Sequence, residues 1–238
     1  MRLPFSLHIW DKLPPLTQKK LVRLLHPARF GTLRHTTPLS SKWGKDRGTP
    51  LDRFYIEQFL QQNRQVIRGR VMEVGDRKYT DQFDSGVETC DVLDNNPANA
   101  KATLRIDLER AEALPSEQYD CLVLTQVLQF VYNLRSCIAN LHRSLRPGGV
   151  LLATVPCVSR IDPSYGMEKD YWRFTRSVCR TLFGEAFGAD SVNVRAYGNV
   201  LVSIAFLAGV ATEELSSQEL EAHEDTFQFL IAVKAVKR

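Results

Sequence analysis

The residues best suited to chemistry in this chain are a glycine and a spaced series of acids. Glu73-Val74-Gly75-Asp76 sets a carboxylate on each side of a glycine. Glycine lets the backbone turn tightly and approach a ligand closely, and a carboxylate beside it can pair with a cationic ligand group. Asp94 lies about twenty residues beyond Gly75, where an acid accepts hydrogen bonds from ribose hydroxyls. Asp91, in the same Asp91-Val92-Leu93-Asp94 run, competes for that role. Asp107 follows in Ile106-Asp107-Leu108, and Tyr119-Asp120 opens the next apolar run. Each acid taken singly also fits a helix cap or a strand end. Gly75 alone also fits a plain turn, because Asp76-Arg77-Lys78 follow it where a dinucleotide fingerprint would supply more glycines. The ordered set carries more than any member.

Such a series needs a frame that delivers strand ends to one place. Gly69–Val74, Val87–Leu93, residues 102–106, Tyr119–Thr125 and residues 150–155 are short apolar runs bounded by turn residues. Ile138, Leu141 and Leu145 form the buried stripe of a helix that stops at Pro147-Gly148-Gly149. Residues 178–187 read as a helix, and Val192–Tyr197 and residues 229–236 as two late strands. The apolar run 200–211 fits either a strand or a helix. Residues 51–63 are amphipathic, with Phe54, Ile56, Phe59 and Leu60 near one helical face. The alternation predicts an α/β domain with a doubly wound, mostly parallel seven-stranded sheet and helices on both faces. In such a sheet the ligand lies beyond the carboxyl ends of the strands, where strand order reverses.

With these residues in view, the chain resembles a class I S-adenosylmethionine-dependent methyltransferase. The resemblance rests on Val-Met-Glu-Val-Gly, Asp-Val-Leu-Asp, Ile-Asp-Leu and Tyr-Asp-Cys-Leu-Val-Leu-Thr-Gln, and most specifically on Leu145-Arg146-Pro147-Gly148-Gly149-Val150. The segments Arg47-Gly48-Thr49-Pro50-Leu51-Asp52-Arg53 and Asp170-Tyr171-Trp172-Arg173-Phe174 further resemble a bacterial subgroup associated with glycosyltransferases. The resemblance spans residues 40–238. It implies a Rossmann-like methyltransferase fold with S-adenosyl-L-methionine as cofactor. Gly75 would lie against the methionyl part, with Glu73 and Asp76 flanking the ammonium end. Asp94 would hold the ribose hydroxyls and Asp107 the adenine amino group, while Gln126 would line the pocket. The first loop departs from the family pattern, which carries two or three glycines there.

Substrate contacts should come from segments that cross the strand ends. Candidates are Arg47, Asp52, Arg53 and Tyr55 before the core, and Tyr165, Asp170, Tyr171, Trp172 and Arg173 after the fifth strand. Tyr171-Trp172-Arg173 could hold a sugar by stacking and hydrogen bonding, or a phosphate through Arg173. Trp172 and the Tyr55-Ile56-Glu57 face also fit core packing. No catalytic nucleophile or triad stands out, and His142 reads as a surface histidine.

Composition bounds the remainder. The net charge of +4 is uneven: residues 1–53 hold eleven Lys/Arg against three Asp/Glu. These are spread out, with few aromatics between them, which favours a solvated basic face or lid over a nucleic-acid arm. Five cysteines lack CxxC pairing, so no metal site is expected and the thiols read as small buried hydrophobes. The start lacks an apolar stretch of signal-peptide length and no window approaches a membrane span, giving the expectation of a cytoplasmic protein. Residues 1–50 read as a basic arm or lid, and 51–238 as the α/β domain. The expected function is methyl transfer to an oxygen or nitrogen of a small molecule or glycan precursor. The alternative is a catalytically weak or inactive methyltransferase-like module that binds a protein or nucleic-acid partner.

Overall fold

A computed structural model describes residues 12–25, 31 and 34–238. They fall into two units, residues 1–38 and 39–238. The first unit contains helix α1 (Pro15–Leu25), which starts where the Thr17 and Gln18 amides donate to the Pro14 carbonyl. Leu16, Leu24 and Leu25 are exposed on it.

The second unit is the α/β domain. Its elements are α2 (Leu51–Gln62), β1 (Gly69–Val74), α3 (Lys78–Gln82), β2 (Val87–Leu93), β3 (Tyr119–Thr125), α4 (Leu134–Ser144) and β4 (Leu145–Pro156). After these come α5 (Arg176–Phe187), β5 (Val192–Tyr197), α6 (Val200–Ala208), α7 (Ser217–Glu221) and β6 (Leu230–Val236). The sheet order is β2-β1-β3-β4-β6-β5. β2, β1, β3 and β4 run parallel, and β6 is antiparallel to both β4 and β5. The chain leaves β1 toward β2 on one side and returns to β3 on the other, so strand order reverses beside β1.

Period-two alternation feeds two cores. Met72, Leu122, Leu124, Leu151, Ala153, Ile231 and Val233 face α4 and α5, meeting Ile138, Leu141, Leu182 and Phe183. Val71, Cys121, Val123, Leu152, Leu230 and Ala232 face the other way, meeting Leu51, Ile56 and Phe59 of α2 and Val202 and Phe206 of α6. Both faces of the central strands are therefore dry, which is why these runs are continuously apolar. Cys121, Cys137 and Cys179 sit inside these layers.

Four details differ from the reading of the sequence. The sheet has six strands rather than seven, because residues 102–106 make a single parallel bridge, Leu93 with Leu104. Thr103 and Arg105 alternate outward there and leave too little apolar side chain to bury a full strand. Pro147-Gly148-Gly149 does not end a helix. The helix ends at Ser144, and this tripeptide forms a bulge early in β4, where pairing slips from Tyr119–Leu145 to Cys121–Val150. Gly148 has φ +81°, which suits it to that kink. The apolar run from Val200 is a helix, capped by the Asn199 side chain on the Val202 amide and ended by Gly209 at φ +77°. Finally, the compact unit begins at Leu39, not Leu51. Leu39 and Ser40 donate to the Ala208 carbonyl, Pro50 bridges Ala211, and Arg47 pairs with Glu214.

Among the described residues, no helix is long and apolar enough to cross a membrane.

Candidate functional site

Backbone ties the carboxyl end of β1 to that of β2, and the end of β3 to β4. The Gly75 amide donates to the Leu93 carbonyl at 2.9 Å, and the Gln126 amide to the Thr154 carbonyl at 2.8 Å. Gly75 has φ +82°, and a Cβ placed on it would meet nothing within 4 Å. The glycine is thus required by its left-handed backbone rather than by crowding, and it borders open space.

Asp94 stands where β2 ends. Its carboxylate accepts the Asn96 amide at 2.9 Å and the Asn99 side-chain amide at 2.7 Å. The same Asn99 nitrogen donates to the Gly75 carbonyl at 2.7 Å, so one side chain clips the two loop ends together. Asp91 is held further back along β2. Arg70 binds it at 2.9 Å and the Tyr119 hydroxyl at 3.2 Å, so it serves the strand's own network. Asp76 is half-buried and paired with Lys101 at 2.8 Å, a bond that holds its carboxyl below the ordinary range. Asp107 is exposed beyond the Leu93–Leu104 bridge, and its carbonyl accepts the Arg110 amide.

Glu73 is held inside the sheet. It shares the face of Val71, and its carboxylate is buried, accepting the Tyr79 amide at 3.1 Å and the Thr80 amide at 2.7 Å. It therefore holds the first turn of α3 under the loop. Burial pushes its carboxyl up, and the Thr80 and Tyr79 amides oppose that rise.

At the end of β3, Gln126 adopts φ +54°, a rare backbone for a residue with a side chain. Its side-chain amide nitrogen is buried without a hydrogen-bond partner, as are the Gln129 side-chain oxygen and the Thr154 hydroxyl. The Gln129 amide nitrogen donates back to the Gln126 carbonyl at 2.9 Å. Buried polar atoms left unmatched cost stability, and a polar ligand reaching these strand ends would satisfy them. Gln129, Thr154, Asn99 and Lys101 carried no pattern in the sequence that singled them out.

The segments crossing the strand ends divide sharply. Tyr132, Tyr171 and Trp172 form an exposed aromatic group. Tyr132 lies 5.3 Å from Tyr171 edge to face, and 6.3 Å from Trp172 with rings near parallel. The Trp172 ring nitrogen donates to the Val131 carbonyl, and the Tyr171 amide to the Gln129 carbonyl, so the group is pinned to the loop after β3. Tyr132 was missed in the sequence, since it only extends the apolar Phe130-Val131 pair and no spacing marks it.

Arg173 is not free for an anion. It binds Asp170 through two nitrogens at 2.6 and 3.0 Å and also donates to the Ser159, Arg160 and Trp172 carbonyls. Tyr55 takes the core-packing alternative: it is buried, its hydroxyl donates to the Leu220 carbonyl, and its ring packs on Tyr197 and Phe229. Arg53 bonds the Tyr79 hydroxyl and stands over that ring, so it reaches the crevice only by bracing α3. Arg53 also opposes the upward shift that burial gives the Asp52 carboxyl. The Tyr165 side chain lies outside the described residues. His142 is half-buried with its ring edge-on to Phe187 at 4.8 Å, under α5 and away from the strand ends.

Residues 75–153 match the family model for a methyltransferase domain. No curated protein matches the chain. Among solved structures, a S-adenosylmethionine-dependent methyltransferase from Archaeoglobus fulgidus is similar at TM-score 0.53 and 14% identity, covering 78% of this chain and 94% of its own. Phosphoethanolamine N-methyltransferase 2 of Haemonchus contortus, solved with S-adenosyl-L-methionine, is similar at TM-score 0.52 and 12% identity, covering 93% of this chain and 57% of its own. At these identities the likeness is one of fold. Residues 75–153 thus match a methyltransferase domain, and the fold is one that these two S-adenosylmethionine-dependent methyltransferase structures share.

Proposed function

From that domain and fold, we propose that the chain moves the methyl group of S-adenosyl-L-methionine to an oxygen or nitrogen of a small molecule or glycan precursor. The observation that carries this reading is the meeting of Gly75, Asp94 and Gln126 at adjoining strand ends, beside three buried polar atoms without partners. Gly75 gives the backbone its close approach, Asp94 takes the ribose hydroxyls, and Asp107 takes the adenine amino group. Asp76 takes the ammonium end once Lys101 releases it. Gln126, with Gln129 and Thr154, lines the wall. Glu73 supports this loop from below.

The cofactor, when bound, supplies a methyl group on a cationic sulfur that leaves as a neutral thioether. The chain's own task is mainly to align the acceptor, and alignment alone can supply a large part of the acceleration. Tyr132, Tyr171 and Trp172 are the acceptor platform in this reading. Stacking on them suits the C–H face of a sugar or a flat ring, and the resemblance to the glycosyltransferase-associated subgroup points the same way. The commitment of Arg173 to Asp170 speaks against its use as a phosphate clamp. The basic segment before the domain acts as a lid or solvated face in a cytoplasmic protein.

Calorimetry with S-adenosylhomocysteine tests the cofactor assignment, and absence of binding at millimolar concentration would overturn it. A second reading, a weakly active module for a protein or nucleic-acid partner, is favoured by the ties of Asp94 to Asn99 and of Asp76 to Lys101. Steeply salt-dependent RNA binding without cofactor affinity would select it over the first.

A further inference from the structure

Helix α6 carries an apolar face that the domain leaves uncovered. Val200, Leu201, Ile204 and Leu207 fall along one side of it and are 45%, 39%, 45% and 47% exposed. Val202, Ala205 and Phe206, on the opposite side, are buried against the sheet. The helix VLVSIAFLA contains no charged residue. Exposed Leu39, whose amide donates to the Ala208 carbonyl at 2.7 Å, extends the stripe past the carboxyl end. A lone exposed leucine needs no explanation, but a continuous stripe of five marks an interaction surface.

The two ends of the stripe carry opposite charge. At the carboxyl end, Ser40 and Gly44 lie against Gly209 and Val210, which sets exposed Lys42 and Lys45 beside the last turn. Neither lysine has an ion-pair partner among the described residues, and the acids at this end are engaged within the domain: Asp46 by Ser40, Glu213 by Thr49 and Glu214 by Arg47. At the amino end, the Asn199 side chain donates to the Glu219 and Ala222 carbonyls, and the Glu224 amide donates to the Gly198 carbonyl. Those bonds set exposed Glu221 and Glu224 there, with exposed Phe227 in the same loop.

We propose that this face joins two copies of the chain, the α6 helices crossing antiparallel about a two-fold axis. An isologous contact must be complementary to itself. Antiparallel crossing lays apolar stripe on apolar stripe and brings Lys42 and Lys45 of each copy to Glu221 and Glu224 of the other. Parallel crossing would set like charges together. The stripe then forms the dry centre of the contact and the charged ends its rim. An anionic lipid surface fits less well, since the acids at one end would be repelled by it.

Analytical ultracentrifugation of the full chain tests the proposal, with circular dichroism to verify folding. The wild type should sediment as a dimer at micromolar concentration. Ile204→Lys should raise the dimer dissociation constant on the order of a hundredfold, because it buries an unpaired charge at the contact. Lys45→Glu, outside the helix, should weaken the dimer more at low salt than at high salt. Combining it with Glu221→Lys should restore the association. A monomeric wild type, a dimer indifferent to Ile204→Lys, or no restoration by the double exchange would each overturn the proposal. So would a monomer that co-sediments with phosphatidylglycerol vesicles, since that assigns the face to lipid.

Discussion

Gly75 and Asp94 show how single residues define the crevice. Gly75 holds φ +82° with open space where a Cβ would stand. Gly75→Ala should therefore cost about 1–2 kcal/mol through left-handed backbone strain alone, without a clash. Thermal denaturation checks the loss, and a wild-type melting curve would refute it. The strand-end positions of both residues were legible in the sequence, because each directly follows an apolar run that forms a strand. Glu73 and Tyr55 both lie on buried faces, and the reason was available in the sequence. Glu73 is two residues from Val71 and so shares its buried face, and Tyr55 continues the Leu51–Ile56–Phe59 side of α2. Gln126, Gln129 and Thr154 show the converse. Their buried, unpartnered polar atoms depend on which strands adjoin, a fact absent from local pattern.

At the scale of elements, the crossing segment after β4 is organised by one buried ion pair. The Asp170 side chain is 2% exposed and accepts from Arg173 and from the Asp162 amide. Arg173→Ala would leave that carboxylate buried without its partner, at a cost of about 3 kcal/mol. Urea denaturation should detect it. Burial pushes the Asp170 carboxyl up, but the Arg173 and Asp162 bonds outweigh this and leave it below its ordinary 3.8. A depressed folded value means the stabilisation is complete above the ordinary value and is lost as pH falls through the folded one. Acid titration of the Trp172 emission, taken as the difference from Trp172→Phe, should thus show a transition below that ordinary value which Asp170→Asn removes. An unchanged transition in that variant would contradict the assignment. Strand positions were readable because apolar runs between turn residues leave few alternatives. The β4 bulge and the lost strand at residues 102–106 were not, since both depend on how neighbouring strands pair.

For the whole molecule, the boundary of the folded unit decides what the basic segment does. Composition groups residues 39–50 with the arm, yet Ser40 and Gly44 pack against the end of α6, and Arg47 and Thr49 bind Glu214 and Glu213. A chain beginning at Leu39 should melt as the full chain does. One beginning at Leu51 should melt earlier, since it loses these contacts and exposes the end of α6. Equal melting of the two shortened chains would contradict this boundary. The α/β class and the helical layers on both faces were legible from alternation, whereas the strand order comes from the pairing itself. The edge of the unit was not legible, because polar loop residues look alike whether they pack or stay in water.

The central claim is that the strand ends around Gly75, Asp94 and Gln126 hold S-adenosylmethionine. Calorimetric titration of S-adenosylhomocysteine into the full chain and into Asp94→Ala tests it most directly. Saturable binding, weakened by about 1–3 kcal/mol in the variant, is the expected result. No binding to the wild type, or equal affinity for the two proteins, would contradict the account.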